Sequence, residues 1–315
     1  MEKTKWSYFP SLKTKDEISA YFDVRTQGHN ELYHYTSLKA IDEILKYGII
    51  RISSTNRFND EKDRRQFGTE QEQKKHFSLC FTSGNNENLS LWYLYSGVDG
   101  KGGRMGFTYN QLVKMINQGD FFLVEYDYET SKPIGKEIPL VQGENIKVTF
   151  RDILYSKTIS NQNFADLKYN TMTNHNKVTN EELEKYKSEF VGFNKSLIWY
   201  YEKETRLLIS LIGEMTHLID LNKNYAVLWK LTSKQISRMK ILLAPEIVDL
   251  SELKDKEYLN KFIFTSSRVS FSENAGDIHM NICSKCNFGK KTYVKDVDFP
   301  ETASSNKNSD SQRGD

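Results

Sequence analysis

Disulfide chemistry is the first thing this chain lacks material for. Three cysteines among 315 residues cannot build a disulfide framework, and a reducing compartment is the simplest reading. No apolar run approaches the roughly 18–20 residues that a membrane span needs. Met1-Glu2-Lys3-Thr4-Lys5-Trp6 has no apolar segment behind it and does not read as a secretory signal. Charge of one sign is also missing. The net charge is +2 with both signs well mixed. That gives no global electrostatic case for nucleic acid or a membrane surface, although local basic patches stay open. With a mean hydropathy of −0.64, the expectation is a soluble, cytoplasmic protein. Several chemical signatures are absent too. Gly97-Val98-Asp99-Gly100-Lys101 lacks the spacing and the Ser/Thr of a phosphate-cradling loop. His29 to His34 has the wrong order and spacing for a zinc-protease helix, and there is no Gly-x-Ser-x-Gly.

Proline (5) is scarce, while Tyr and Phe stand at 18 each, so rings must supply much of the core. The length is ample for one large domain or two modest ones. Leu38, Ile41, Ile44 and Leu45 recur at helical spacing, with Thr36 or Ser37 as N-cap and Gly48 as stop. Ile49 to Ser53 then reads as a strand, which gives a strand–helix–strand start with His34-Tyr35 at the first strand's exit. Phe77 to Thr82 alternates, with Phe77, Leu79 and Phe81 on one face and Ser78, Cys80 and Thr82 on the other. Asn88 caps a short predicted helix, Leu89 to Tyr95. After a glycine-rich turn come a strand at Arg104–Tyr109, a helix at Asn110–Asn117 and a strand at Phe121–Tyr128. Residues 131–146 read as irregular, Val148–Ser156 as a strand and 161–200 mostly as helix. Further strands are expected at Leu207–Ile212, Ala226–Leu231 and Met239–Leu243. The tail from Thr302 is polar and is expected to be disordered. The pattern predicts an α+β fold built on a mixed or antiparallel sheet with helices.

Four groups of residues can carry chemistry, and each also has an ordinary structural reading. His34 lies between Tyr33 and Tyr35 on opposite faces of a strand, either as a ligand contact or as a satisfied histidine in an aromatic strand end. At strand spacing Glu202, Glu204 and Arg206 share one side. Two carboxylates with an arginine beside them can acquire divergent pKa values and stabilise a cationic, oxocarbenium-like transition state. They can equally be a solvated strand edge with a cross-strand ion pair. Asn56-Arg57-Phe58-Asn59-Asp60 suits a loop, either ligand-contacting or plain turn. Cys283-Ser284-Lys285-Cys286 is half of a tetrahedral zinc site only if His279 and another ligand complete it, and otherwise two incidental thiols. Cys80 reads as a small core residue rather than a nucleophile.

The order of the motifs is more specific than any one of them. Leu32-Tyr33-His34-Tyr35-Thr36 is followed by Ile44-Leu45-x-x-Gly48 and Ser53-x-x-x-x-Phe58-Asn59-Asp60. Then come Phe77-x-Leu79-Cys80-Phe81-Thr82, Asn88-Leu89-x-Leu91-Trp92-x-x-Tyr95 and the glycine loop into Gly106-Phe107. Trp199-x-Tyr201-Glu202-x-Glu204-x-Arg206 closes the series. Over residues 30–245 the chain thereby resembles the bacterial family called domain of unknown function 2971. That family in turn looks like a branch of the ADP-ribosyltransferase superfamily, which splits NAD on a compact mixed-sheet core. The resemblance implies an ADP-ribosyltransferase-like domain at 30–245. Residues 1–29 would be an N-terminal extension, 246–301 a C-terminal extension packed on the domain, and 302–315 a tail.

The resemblance also implies roles. His34 would hydrogen-bond the NAD ribose, and Tyr35 or a tyrosine near Tyr93–Tyr95 would stack on nicotinamide. Glu204 would bind the ribose 2′-hydroxyl and stabilise the oxocarbenium ion, with Glu202 as partner carboxylate. Arg206 would orient Glu204 or contact phosphate. Asn59 and Asp60 would contact nucleotide or target, and Thr36, Trp92 and Tyr95 complete the cofactor-binding set. NAD would be a co-substrate with no metal expected, and the acceptor an unidentified protein or nucleic acid, or water. A bacterial toxin or anti-phage effector would fit. Two other readings compete: a non-catalytic nucleotide- or protein-binding module, and a metal-dependent nuclease working through Glu202 and Glu204.

Overall fold

Ser37 begins the first helix as its spacing predicts, its hydroxyl accepting the Ala40 N–H at 3.2 Å. Gly48, at φ 67°, ends it in the left-handed conformation and returns its N–H to Ile44 O at 2.8 Å. This helix, α1 (Leu38–Tyr47), connects β1 (Glu31–Ser37) to β2 (Ile49–Ser54). The computed structural model describes residues 26–84, 87–97, 101–156, 191–220, 222–266 and 268–275. After β2 come a 3-10 turn (Thr55–Arg57), α2 (Glu61–Arg65) and α3 (Glu70–Gln73). The central strand β3 (His76–Ser83) follows, then α4 (Leu89–Tyr95), β4 (Gly102–Thr108) and α5 (Tyr109–Asn117). Strands β5 (Asp120–Asp127), β6 (Lys132–Leu140), β7 (Ile146–Asp152) and β8 (Leu154–Ser156) come next. Beyond them lie β9 (Asn194–Ser196), a 3-10 turn (Leu197–Glu202) and β10 (Glu204–Leu211). The described chain closes with α6 (Met215–Leu218), β11 (Tyr225–Lys230), α7 (Ser233–Ile236) and β12 (Lys240–Leu243), then a 3-10 turn (Leu250–Leu253), α8 (Glu257–Thr265) and β13 (Val269–Phe271).

One large sheet runs β13-β12-β4-β1-β3-β2-β11-β5-β6, and β10 pairs with β3 and β7. Its pairings are antiparallel except β12 with β13, so the fold is α+β on a mixed, mostly antiparallel sheet. A separate parallel pair joins β8 and β9. The feature that positions the site is a split beside β3. Along one edge β3 pairs with β10 from His76 to Thr82. Its remaining pairings are with β1 at Thr82–Ser83 and with β2 at Phe77–Ser78, so β1 and β2 diverge from its two ends.

The period of two then separates core from cavity. Phe81, Leu79 and Phe77 stand opposite Thr205, Leu207 and Ile209, and the apolar members of these pairs enter the main core. Thr82, Cys80 and Ser78 stand opposite Glu204, Arg206 and Leu208 on the other face. Gly106 faces Tyr33 across β1 and β4, and a Cβ there would lie 2.9 Å from the tyrosine ring. Residues after 245 join the same core through Ile247, Leu253 and Leu259, and the Leu259 N–H is accepted by Asp42 on α1 at 2.8 Å.

The structure corrects several expected elements. Residues 132–140, read as irregular, form edge strand β6, whose Pro133 and Pro139 are tolerated because an edge strand leaves one side unpaired. The single strand expected over Val148–Ser156 is broken at Ile153 into β7 and β8, which pair with different partners. Within the stretch read as helix, 191–200 holds a strand and a 3-10 turn, while 157–190 lies outside the described residues. The expected tail, most of the N-terminal extension, His279 and Cys283–Cys286 also lie outside them. No helix among the described residues is long and apolar enough to cross a membrane.

Candidate functional site

A cavity of about 400 Å³ opens where β1 and β2 part from β3, within the range of small-molecule sites. It is lined by His34 and Thr36 from β1, Asn59 and Asp60 from the loop before α2, and Tyr95 from α4. Lys195, Trp199, Glu202, Glu204 and Arg206 line it from the later half of the chain.

Its inner end is a buried ionic chain. Arg206 donates Nε to Glu204 Oε1 at 2.7 Å and a fork to Asp63, 3.0 Å to Oδ1 and 2.7 Å to Oδ2. The same guanidinium reaches Gly192 O at 2.7 Å. Lys195 Nζ bridges the two glutamates, 2.5 Å from Glu202 Oε2 and 3.2 Å from Glu204 Oε2. Tyr95 donates its hydroxyl to Glu202 Oε1 at 3.1 Å, and the Glu204 N–H donates to Tyr155 Oη at 2.8 Å. All five charged side chains are buried. Three carboxylates face two cations, one negative charge in excess when all are ionised.

The two glutamates titrate apart. Burial raises the Glu204 carboxyl, but Arg206 and Lys195 outweigh it and hold the group well below the usual carboxylate range. At Glu202 burial dominates, Lys195 opposes it and Glu204 adds to it, so the carboxyl is pushed up to about 7. Burial alone would lower the Lys195 pKa, yet the two glutamates raise it above the usual lysine value. Glu202 is not on the strand, contrary to the spacing argument. It ends the 3-10 turn, and Lys203 at φ 43° and ψ 49° turns the chain before β10. That turn brings Glu202 onto the cavity with Glu204 and Arg206.

His34 fills the split. Its Nδ1 lies 2.8 Å from Cys80 O. A carbonyl can only accept, so Nδ1 carries the proton and Nε2 is left as an acceptor in the neutral ring. Burial lowers its pKa, which favours that neutral form. Asp60 offers a second open acceptor. Its Oδ1 caps α2 through the Lys62 N–H, while Oδ2 is buried without a hydrogen-bond partner. Cys80, read as a small core residue, is half-buried and lines the cavity on the face its alternation gives it, and burial pushes its thiol pKa up.

One expected contact is corrected. Trp92 is fully buried, donates Nε1 to Glu87 at 3.0 Å and does not line the cavity, because it sits on the core side of α4. Tyr95, three residues on, takes the cavity position. Tyr35 borders the cavity, but its ring is packed edge-on against Trp92 at 4.7 Å, and its hydroxyl receives the Asn88 N–H and an Arg104 N–H. Its ring is therefore fixed by core contacts, and the rings nearer the ionic chain are Tyr95, hydrogen-bonded to Glu202, and Trp199, 5.0 Å from Lys195 Nζ.

Sequence reasoning missed Asp63 and Lys195. Asp63 sits in a mixed charged run, Glu61-Lys62-Asp63-Arg64-Arg65, that reads as solvated. Lys195 sits in a polar stretch with no apolar period to place it. Among the described residues no group of three or more His, Cys, Asp or Glu is placed to hold a metal ion.

No curated protein matches the chain. Residues 91–207 match the family model described as Protein of unknown function (DUF2971), from α4 into β10. That match supports the family resemblance over the span that holds Tyr95, Lys195, Glu202, Glu204 and Arg206.

Proposed function

We propose that this protein is an ADP-ribosyltransferase-like enzyme that cleaves NAD and transfers ADP-ribose to a macromolecule or to water. One observation carries the reading: His34 and the Glu202–Glu204 pair, 170 residues apart in the chain, line a single cavity. In the reaction the C1′–N bond breaks and its electron pair leaves with nicotinamide. The positive charge that develops at C1′ is stabilised by the carboxylates, which hold one negative charge in excess and need no reorganisation. The bare Nε2 of His34 accepts from a ribose hydroxyl. An acceptor hydroxyl or amine then bonds to C1′, and ionised Glu202, poised near neutrality, takes its proton. NAD consumption of this kind suits a bacterial toxin or anti-phage effector acting in the cytoplasm.

The nuclease reading needs carboxylate oxygens open to a divalent ion, and here they are occupied by Lys195, Arg206 and Tyr95. The test is incubation with NAD, following free nicotinamide and a mass-shifted target. Wild type is expected to release nicotinamide, and Glu202→Gln to release at least about tenfold less while still folded, with a cooperative thermal transition. No release by wild type above a protein-free control overturns the reading.

A further inference from the structure

The cavity's outer wall carries two exposed arginines, beyond the buried ionic chain of its inner end. Arg51 projects from the exposed side of β2, with Ile50 and Ile52 buried on either side of it. Its NH1 donates to Tyr126 Oη at 3.0 Å, and its guanidinium carbon lies 5.1 Å from the Tyr126 ring and 5.6 Å from that of Tyr128. Arg57, from the 3-10 turn after β2, stacks on the other tyrosine, 4.0 Å from the Tyr128 ring. Both arginines line the cavity. Neither makes an ion pair with a carboxylate of the described residues, whereas Lys195, Arg206, Lys223, Lys230 and Lys240 all do. The acids on this side point their contacts elsewhere: Glu43 lies 3.9 Å from Lys39, and Asp60 Oδ1 accepts the Lys62 N–H. These ring contacts hold the two guanidiniums in place, and of the Arg51 N–H groups NH1 is engaged by Tyr126.

We infer that Arg51 and Arg57 form a phosphate clamp, and that the site requires a nucleotide with a 5′-phosphate or diphosphate rather than a free nucleoside. This rests on the reading of the cavity as a glycosyl-transfer site. On a ribose ring C1′ and C4′, which bears the 5′ carbon, flank the ring oxygen on its two sides. An anomeric centre held at the anionic inner end therefore directs its 5′-phosphate outward, toward the two arginines. The two arginines thus stand where that phosphate would point. Bidentate Arg–phosphate contacts then add orientation as well as affinity.

Calorimetry on the full chain, with ADP and adenosine as probes at two salt concentrations, tests the clamp. Wild type is expected to bind ADP at least about tenfold more tightly than adenosine, with the preference shrinking at high salt. The double variant Arg51→Gln/Arg57→Gln is expected to lose that preference while binding adenosine as before. Because both side chains are exposed, its melting temperature should match wild type. Wild type that does not distinguish ADP from adenosine, or a double variant that binds ADP like wild type, overturns the clamp. The outcomes separate the two claims. NAD cleavage with ADP binding indifferent to the arginines sinks only the clamp. Arginine-dependent ADP binding without NAD cleavage sinks only the enzyme.

Discussion

At the scale of single residues, the two glutamates have different jobs despite lying two positions apart. Glu204 is enclosed, with one oxygen on Arg206 and the other on Lys195. Glu204→Gln leaves two buried cations short of a counter-charge and should destabilise the fold by about 3–5 kcal/mol, read by denaturant unfolding. Glu202→Gln leaves Lys195 paired with Glu204 and should cost well under half of that. Mutating Glu204 therefore confounds chemistry with folding, and Glu202 is the cleaner probe. The pH dependence follows from the same asymmetry. With the Glu202 carboxyl at about 7, the cluster gains one negative charge as the pH rises through that value. Nicotinamide release should rise with pH through about 7, and Glu202→Gln should flatten the limb. Lys195 lowers the Glu202 pKa, so Lys195→Met should move the limb to higher pH. A pH profile unchanged in Glu202→Gln would assign the titration elsewhere.

At the scale of elements, the parts legible in the sequence were those whose signals are local. The cap and stop of α1 and the alternation of β3 needed no tertiary information. Neither did the strands around Leu207–Leu211, Ala226–Lys230 and Lys240–Leu243. Strand β6 was not legible, because Lys-Pro-Ile-Gly-Lys-Glu-Ile-Pro-Leu carries neither alternation nor a complete set of ladder donors. Only pairing with β5 makes it a strand. The turn at Lys203 was hidden for a related reason. A left-handed non-glycine residue leaves no mark on the sequence, and strand spacing was extended through it. Its backbone matters because Ser83 donates its N–H to Lys203 O at 3.1 Å and Thr82 donates to Glu202 O at 2.5 Å, which locks the turn onto β3. Lys203→Gly should be tolerated, since glycine adopts this conformation freely. Lys203→Val should lose about 1–3 kcal/mol by thermal or chemical unfolding. Equal stability of the two variants would show that the left-handed turn is not retained.

At the scale of the whole molecule, the site exists only because distant segments close on one another. Arg206 and Asp63, 143 positions apart, share a fork of two hydrogen bonds. Residues 91–207, the span that matches the family model, contain both glutamates but neither His34 nor Asp63. They also lack the strands that hold the glutamates in place. Strand β10 pairs along its length with β3, β5 pairs with β11, and β4 lies between β1 and β12. All of those partners fall outside 91–207. Within it, β5 keeps β6, β8 keeps β9, and β7 keeps only the first part of β10. Isolated two-stranded pairs are marginal in water, and the buried Lys195, Arg206 and glutamates would be exposed without their core. Residues 91–207 expressed alone should therefore show no cooperative thermal transition and poor amide dispersion by NMR, while residues 26–275 should unfold cooperatively. A cooperative transition in the shorter fragment would mean that the matched span is an independent domain, and that the split beside β3 is an interface between units rather than the interior of one.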